Sequence, residues 1–105
     1  MSEILDRLEV SISERRGASP DSSYVASLFA KGREKIAQKV GEEATETVIA
    51  ALSGDPAKLT AEAADLMFHL MMLLAEGGLS VNHVLAELER REGLSGLAEK
   101  AARKD

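Results

Sequence analysis

The sequence predicts an all-α protein, a helical bundle built on two long antiparallel helices and completed by oligomerisation. Three observations predict it. Apolar residues recur three and four positions apart almost throughout, β-branched alternation is missing, and a Gly54-Asp55-Pro56 turn separates the two longest periodic segments. A first helix opens at Ser2 and Glu3, carries Leu5, Leu8 and Ile12 as a narrow stripe and ends near Gly17; Ala18-Ser19-Pro20-Asp21 then reads as a loop. A short helix from about Ser23 to Ala30 carries Val25, Leu28 and Phe29 and stops at Gly32. Next comes a long helix from Arg33 to Ser53, closed by Gly54, and a second long one from Pro56, a favoured first-turn residue, to Glu76 before Gly77-Gly78. Ser80 caps a last helix bearing Val81, Val84, Leu85 and Leu88, while Gly93 to Asp105 is only weakly amphipathic. The expected organisation is therefore one domain over residues 1–92 with a weakly structured tail over 93–105.

Composition narrows the function classes. The 105 residues are 45% hydrophobic and 30% charged with a net charge of -5, a globular balance with too little basic character for a nucleic-acid groove. No cysteine is present, and His69 and His83 alone cannot build a multi-histidine zinc site, so thiolate, disulfide and zinc chemistry are not expected. The N-terminus lacks an apolar signal core, and the longest nearly apolar run, Leu66 to Ala75, is too short to span a bilayer. The expectation is a cytoplasmic protein without a membrane or nucleic-acid partner. A chain this short buries only part of its apolar surface alone, and Leu66 to Ala75 is apolar almost all round, so a homo-oligomer, a dimer or higher, is expected.

The chemistry-bearing feature is a pair of acidic pairs, Glu43-x-x-Glu46 and Glu62-x-x-Asp65, one on each long helix. Carboxylates at i, i+3 share a helix face, and an antiparallel hairpin lets both pairs converge on one point, where their oxygens suit a hard cation. At about 100° per residue Glu43 falls on the same face as Ile36, Val40, Thr47, Ala50 and Ala51, with Lys39 and Glu46 at its edge. An uncompensated charge there costs several kcal/mol, on the order of the penalty for a buried ion, so Glu43 needs a proton, a cation or a metal. Glu62, Asp65 and His69 form a strip on the next helix.

Each feature also has a plainer reading. Acidic spacings of this kind arise by chance in a chain with 18 acids, and Met67, Met71 and Met72 read as packing. His69, one turn after Asp65, is either a core histidine satisfied by that carboxylate or a residue orienting a ligand. Lys31, Lys35 and Lys39 recur at i, i+4, i+8 and form either a solvated stripe or a row of point charges for phosphates. Gly32 and Gly41 do not fit the spacing of a Walker-type phosphate loop.

The order E-x-x-E, fifteen intervening residues, then E-x-x-D resembles the magnesium-binding signature of the all-α nucleoside triphosphate pyrophosphohydrolases. Around it, SYVASLFAKG (Ser23 to Gly32), KIAQKVGEEATETVIAA (Lys35 to Ala51), EAADLMFHLMMLL (Glu62 to Leu74) and GLSVNHVLAELERR (Gly78 to Arg91) resemble the phosphoribosyl-ATP pyrophosphatase family of histidine biosynthesis. The departures are small: Phe68 stands where Tyr is common, and Thr47 lies within the first motif. Some members are fused to a phosphoribosyl-AMP cyclohydrolase, and the expectation here is the stand-alone form. The resemblance implies Mg²⁺-dependent hydrolysis of phosphoribosyl-ATP to phosphoribosyl-AMP and pyrophosphate. It implies metal ligation by Glu43, Glu46, Glu62 and Asp65, phosphate binding by Lys31, Lys35 and Lys39, and for Glu42 either acceptance of a proton from metal-bound water or a supporting acceptor role. Beside this site His69, one turn after Asp65, is the candidate for orienting a ligand from behind, its alternative being the core histidine described above. The alternatives are a house-cleaning nucleoside triphosphate pyrophosphohydrolase of the same fold and a non-catalytic helical interaction module.

Overall fold

The computed structural model describes residues 3–92, so the expected tail over 93–105 and the Ser2 helix start lie outside it. Five helices follow in order: α1 Glu3–Arg16, α2 Tyr24–Lys31, α3 Arg33–Ser53, α4 Pro56–Glu76 and α5 Val81–Arg91. Among the described residues every element is helical, as the apolar period requires. Helix α2 begins one residue later than expected because Ser23 stands in extended backbone as its cap, the hydroxyl accepting the Ala26 N–H at 3.2 Å.

Gly32 joins α2 to α3 at φ 94°, a conformation closed to side-chain-bearing residues, and it ends one helix and starts the next. Gly54 closes α3 in the left-handed region at φ 78° and ψ 7°, and the Asp55 carboxylate accepts the Ala57 N–H at 3.0 Å to start α4. The α3–α4 hairpin is the main packing unit of the chain. The two-residue Gly54-Asp55 link makes the hairpin antiparallel, and Arg33 at the head of α3 pairs with Glu76 at the foot of α4 across its open end. Helix α5 leaves α4 at 105°; Ser80 and His83 form its capping box, and the Glu9 carboxylate of α1 accepts the Val81 N–H at 2.8 Å.

The core gathers one stripe from each helix. Ile36 and Met72 are fully buried, with Ile12, Val25, Leu28, Met71 and Val81 around them and Leu5 and Leu8 packed on the outside. Burying a side chain of this size stabilises by ~1.5–3 kcal/mol. The all-round apolar segment of α4 divides in two. Met71 and Met72 belong to the core of the single chain, whereas Met67 is 52% and Leu70 39% exposed. Met71 and Met72 are thus packing residues, as their type suggests: they share the core with Ile36 on the inward face of α4. Among the described residues no single helix is long and apolar enough to cross a membrane.

Candidate metal and phosphate site

The hairpin brings three of the four expected acids to one point. One carboxylate oxygen each from Glu43 on α3 and from Glu62 and Asp65 on α4 lie within 4.8 Å of one another. Glu43 is buried, at 8% exposure, as its place on the apolar wheel requires; Glu62 is half-buried and Asp65 exposed. Glu43 Oε2 and Glu62 Oε2 are buried without a hydrogen-bond partner. Unpartnered buried carboxylate oxygens beside a third carboxylate are costly unless a cation faces them, so this all-oxygen, anionic set fits a hard divalent ion.

Glu46 sits at the rim. It is exposed, outside the group of three, and hydrogen-bonded with Glu62. That bond, then burial, then the charges of Glu46, Glu43 and Asp65 push the Glu62 carboxyl above its ordinary 4.5. Glu42 points away from the group. It accepts hydrogen bonds from Gln38 at 2.8 Å and Lys39 at 3.2 Å, which hold its carboxyl below the usual range.

Lys39 bridges the two faces, 3.2 Å from Glu42 and 3.8 Å from Glu43 Oε1, and the hydrogen bond to Glu42 raises its ammonium above 10.5. Lys35 lies half-buried one turn earlier, its charge acting on Glu42. Lys31 does not continue this row. The helix breaks at Gly32, so the i, i+4 stacking stops there and Lys31 lies exposed in the last turn of α2.

His69 is buried, at 5% exposure, and both ring nitrogens are engaged. Nδ1 lies 2.7 Å from the Asp65 carbonyl oxygen and Nε2 2.7 Å from the Tyr24 hydroxyl. The histidine thus meets the backbone of Asp65 and not its carboxylate, which leaves that carboxylate to the acidic group. Sequence reasoning missed Tyr24 as a site residue. It stands at the head of α2, 45 positions from His69, and only the tertiary fold joins them, with the rings edge-to-face at 5.7 Å. Burial raises the Tyr24 phenol above 10.0; Lys39 opposes this, and Glu43 and Asp65 add to it. Arg16 donates to the Ala75 carbonyl at 3.1 Å and lies 4.4 Å over the Phe29 ring.

Comparison with known proteins agrees with this geometry. The family model described as Phosphoribosyl-ATP pyrophosphohydrolase matches residues 5–92, which include all four acids. A protein of Rhizorhabdus wittichii named phosphoribosyl-ATP pyrophosphatase is 67% identical over 103 residues, covering 98% of this chain and 97% of its own. Proteins of the same name from Erythrobacter litoralis (65% over 101 residues, 96% and 97% covered) and Dinoroseobacter shibae (58% over 100 residues, 95% and 98% covered) are also similar. A match of this extent, over helices that converge buried carboxylates, places the chain in the phosphoribosyl-ATP pyrophosphohydrolase family.

Proposed function

We propose that this chain is a phosphoribosyl-ATP diphosphatase of histidine biosynthesis, hydrolysing the bond between the α- and β-phosphates to give phosphoribosyl-AMP and pyrophosphate. The observation that carries the reading is the buried, partnerless Glu43 Oε2 within a three-carboxylate group, in a chain matched end to end by relatives of that name. Glu43, Glu62 and Asp65 would hold Mg²⁺, with Glu46 at the rim as the fourth carboxylate. Bound there, Mg²⁺ supplies positive charge against the triphosphate and the departing pyrophosphate. Lys39, already turned toward Glu43, neutralises phosphate oxygens beside the acids, and Lys35 extends that charge along α3. Lys31 reaches the substrate only from the end of α2. Glu42 is the acceptor nearest the row of lysines; its depressed carboxyl makes it a weak base and favours the supporting role over proton removal.

The protein works as a homo-oligomer in the cytoplasm. Leu59, Met67 and Leu70 form one exposed stripe of α4, and Val48 and Leu52 stack one turn apart on α3, apolar surface that a second copy covers. Turnover of phosphoribosyl-ATP, measured beside dCTP and dUTP, is the test. A clear preference in kcat/KM for phosphoribosyl-ATP is the expected result, and preference for the deoxynucleotides assigns the chain to house-cleaning hydrolysis. Isothermal titration with Mg²⁺ that gives no heat in the wild type and no turnover of any triphosphate leaves a helical interaction module.

A further inference from the structure

Among the described residues Tyr24 is the one side chain of α2 tied by a hydrogen bond to the acid-bearing turn of α4, and the atoms on either side of that bond fix its sense. A carbonyl oxygen only accepts, so His69 Nδ1 carries the proton given to Asp65 O at 2.7 Å. In the neutral ring Nε2 is then an acceptor, and the Tyr24 hydroxyl donates to it at 2.7 Å. The head of α2 is itself held, by the Ser23 cap and by Val25, Ala26 and Leu28 in the core. A chain of contacts therefore runs from the core through α2 and the His69 ring to the peptide of Asp65, whose carboxylate is the most exposed of the group of three.

That group needs holding. Three carboxylates within 4.8 Å repel, and α4 bears two of them against the buried Glu43. We propose that Tyr24 is a positioning residue for the acidic site, its hydroxyl locking the His69 ring and through it the Asp65 turn of α4 at the distance from Glu43 that a divalent cation requires. The proposal rests on the metal-binding reading of the site. A tyrosine rather than a phenylalanine is needed at this position because the ring alone packs on His69 edge-to-face without fixing where its nitrogens point.

Titration of the purified, metal-free protein with Mn²⁺, followed by loss of the free-ion electron paramagnetic resonance signal, tests this without any turnover. Tyr24→Phe is expected to weaken Mn²⁺ binding roughly ten-fold, the lower end of what supporting residues of metal sites contribute, while the helical circular dichroism and Tm stay near wild type. His69→Asn keeps a donor near the Nδ1 position and loses the tyrosine partner, so it weakens binding to a similar degree. Because both changes break the same connection, the double variant binds no more weakly than His69→Asn alone. Wild-type affinity in Tyr24→Phe overturns the proposal, and so do single-variant losses that multiply in the double variant, since Tyr24 then acts on its own. Failure of the site reading looks different: no Mn²⁺ bound by the wild type, or undiminished binding by Glu43→Gln, overturns both.

Discussion

Glu43 keeps a carboxylate where a helix normally places an aliphatic side chain, and its surroundings determine what happens when the charge is removed. One oxygen lies 3.8 Å from Lys39, too far for a strong hydrogen bond, the other is buried without a partner, and the Glu62 and Asp65 carboxylates stand close by. Glu43→Gln keeps the shape and relieves the repulsion, so the metal-free variant should melt no lower than wild type and up to ~4–8 °C higher if relief amounts to 1 kcal/mol in a domain of this size. Activity moves the other way. Loss of a charge that holds a metal against phosphate is worth several kcal/mol in the transition state, so Glu43→Gln and Asp65→Asn should each lose about 10²–10³-fold in kcat/KM at saturating Mg²⁺. Calorimetry of the metal-free proteins and steady-state turnover check the two halves separately. At the other end of the molecule, hydrogen bonds from Arg90 and Arg91 hold Glu87 at about 2, below its ordinary 4.5. A depressed carboxyl contributes stability that is present above pH 4.5 and lost as the pH falls toward 2. The Tm difference between wild type and Glu87→Gln should thus be small at neutral pH, as for any exposed ion pair, and vanish near pH 2.

At the scale of the helix, the two glycine breaks make different demands. Gly54, at φ 78° and ψ 7°, occupies the left-handed helical region that asparagine also visits, and an added Cβ meets nothing within 4 Å. Gly32, at φ 94° and ψ 176°, occupies a region essentially reserved for glycine. Urea denaturation should show Gly54→Asn close to wild type and Gly32→Asn destabilised by ~1–3 kcal/mol. These breaks were also what made the helices legible in the sequence: Gly32, Gly54, Asp55-Pro56 and Ser80 act on backbone within their own turn, so no distant information is needed to read them. The placement of Glu43 was legible for a related reason, since helical rotation alone puts it with Ile36 and Ala50. That Glu46 lies outside the group while Glu62 and Asp65, at the same spacing, both lie inside it is set by how α3 and α4 dock, which the motif does not express. The bonds joining Tyr24 to His69, Glu9 to Val81 and Arg16 to Ala75 depend on how the helices dock, and no local pattern encodes them.

For the whole molecule the division of α4 into an inward and an outward face separates folding from the proposed assembly. Met72 is fully buried against the core of its own chain, whereas Met67 and Leu70 lie on the outer stripe. A glutamate at position 72 should unfold the chain, because an uncompensated buried charge costs several kcal/mol, of the order of the total stability of a small domain. Met67→Glu or Leu70→Glu should leave the helical circular dichroism intact and convert the proposed oligomer to monomer in light scattering at low micromolar concentration. A wild-type monomer with full activity in the same measurement removes the oligomer from the proposed function.

The composition of the core also bears on the order in which the protein is made. Ile12, Val25, Leu28 and Ile36 come from the first three helices, and the residues that cover them, Met71, Met72 and Val81, come from the last two. During synthesis at about 5–20 residues per second the early stripe, where α2 packs on α1 and α3, waits a few seconds for α4 to cover it. The core therefore stays open until the last two helices are made, and the acidic site, confined to the hairpin between Glu43 and Asp65, is assembled by the docking of α4 that begins to close it.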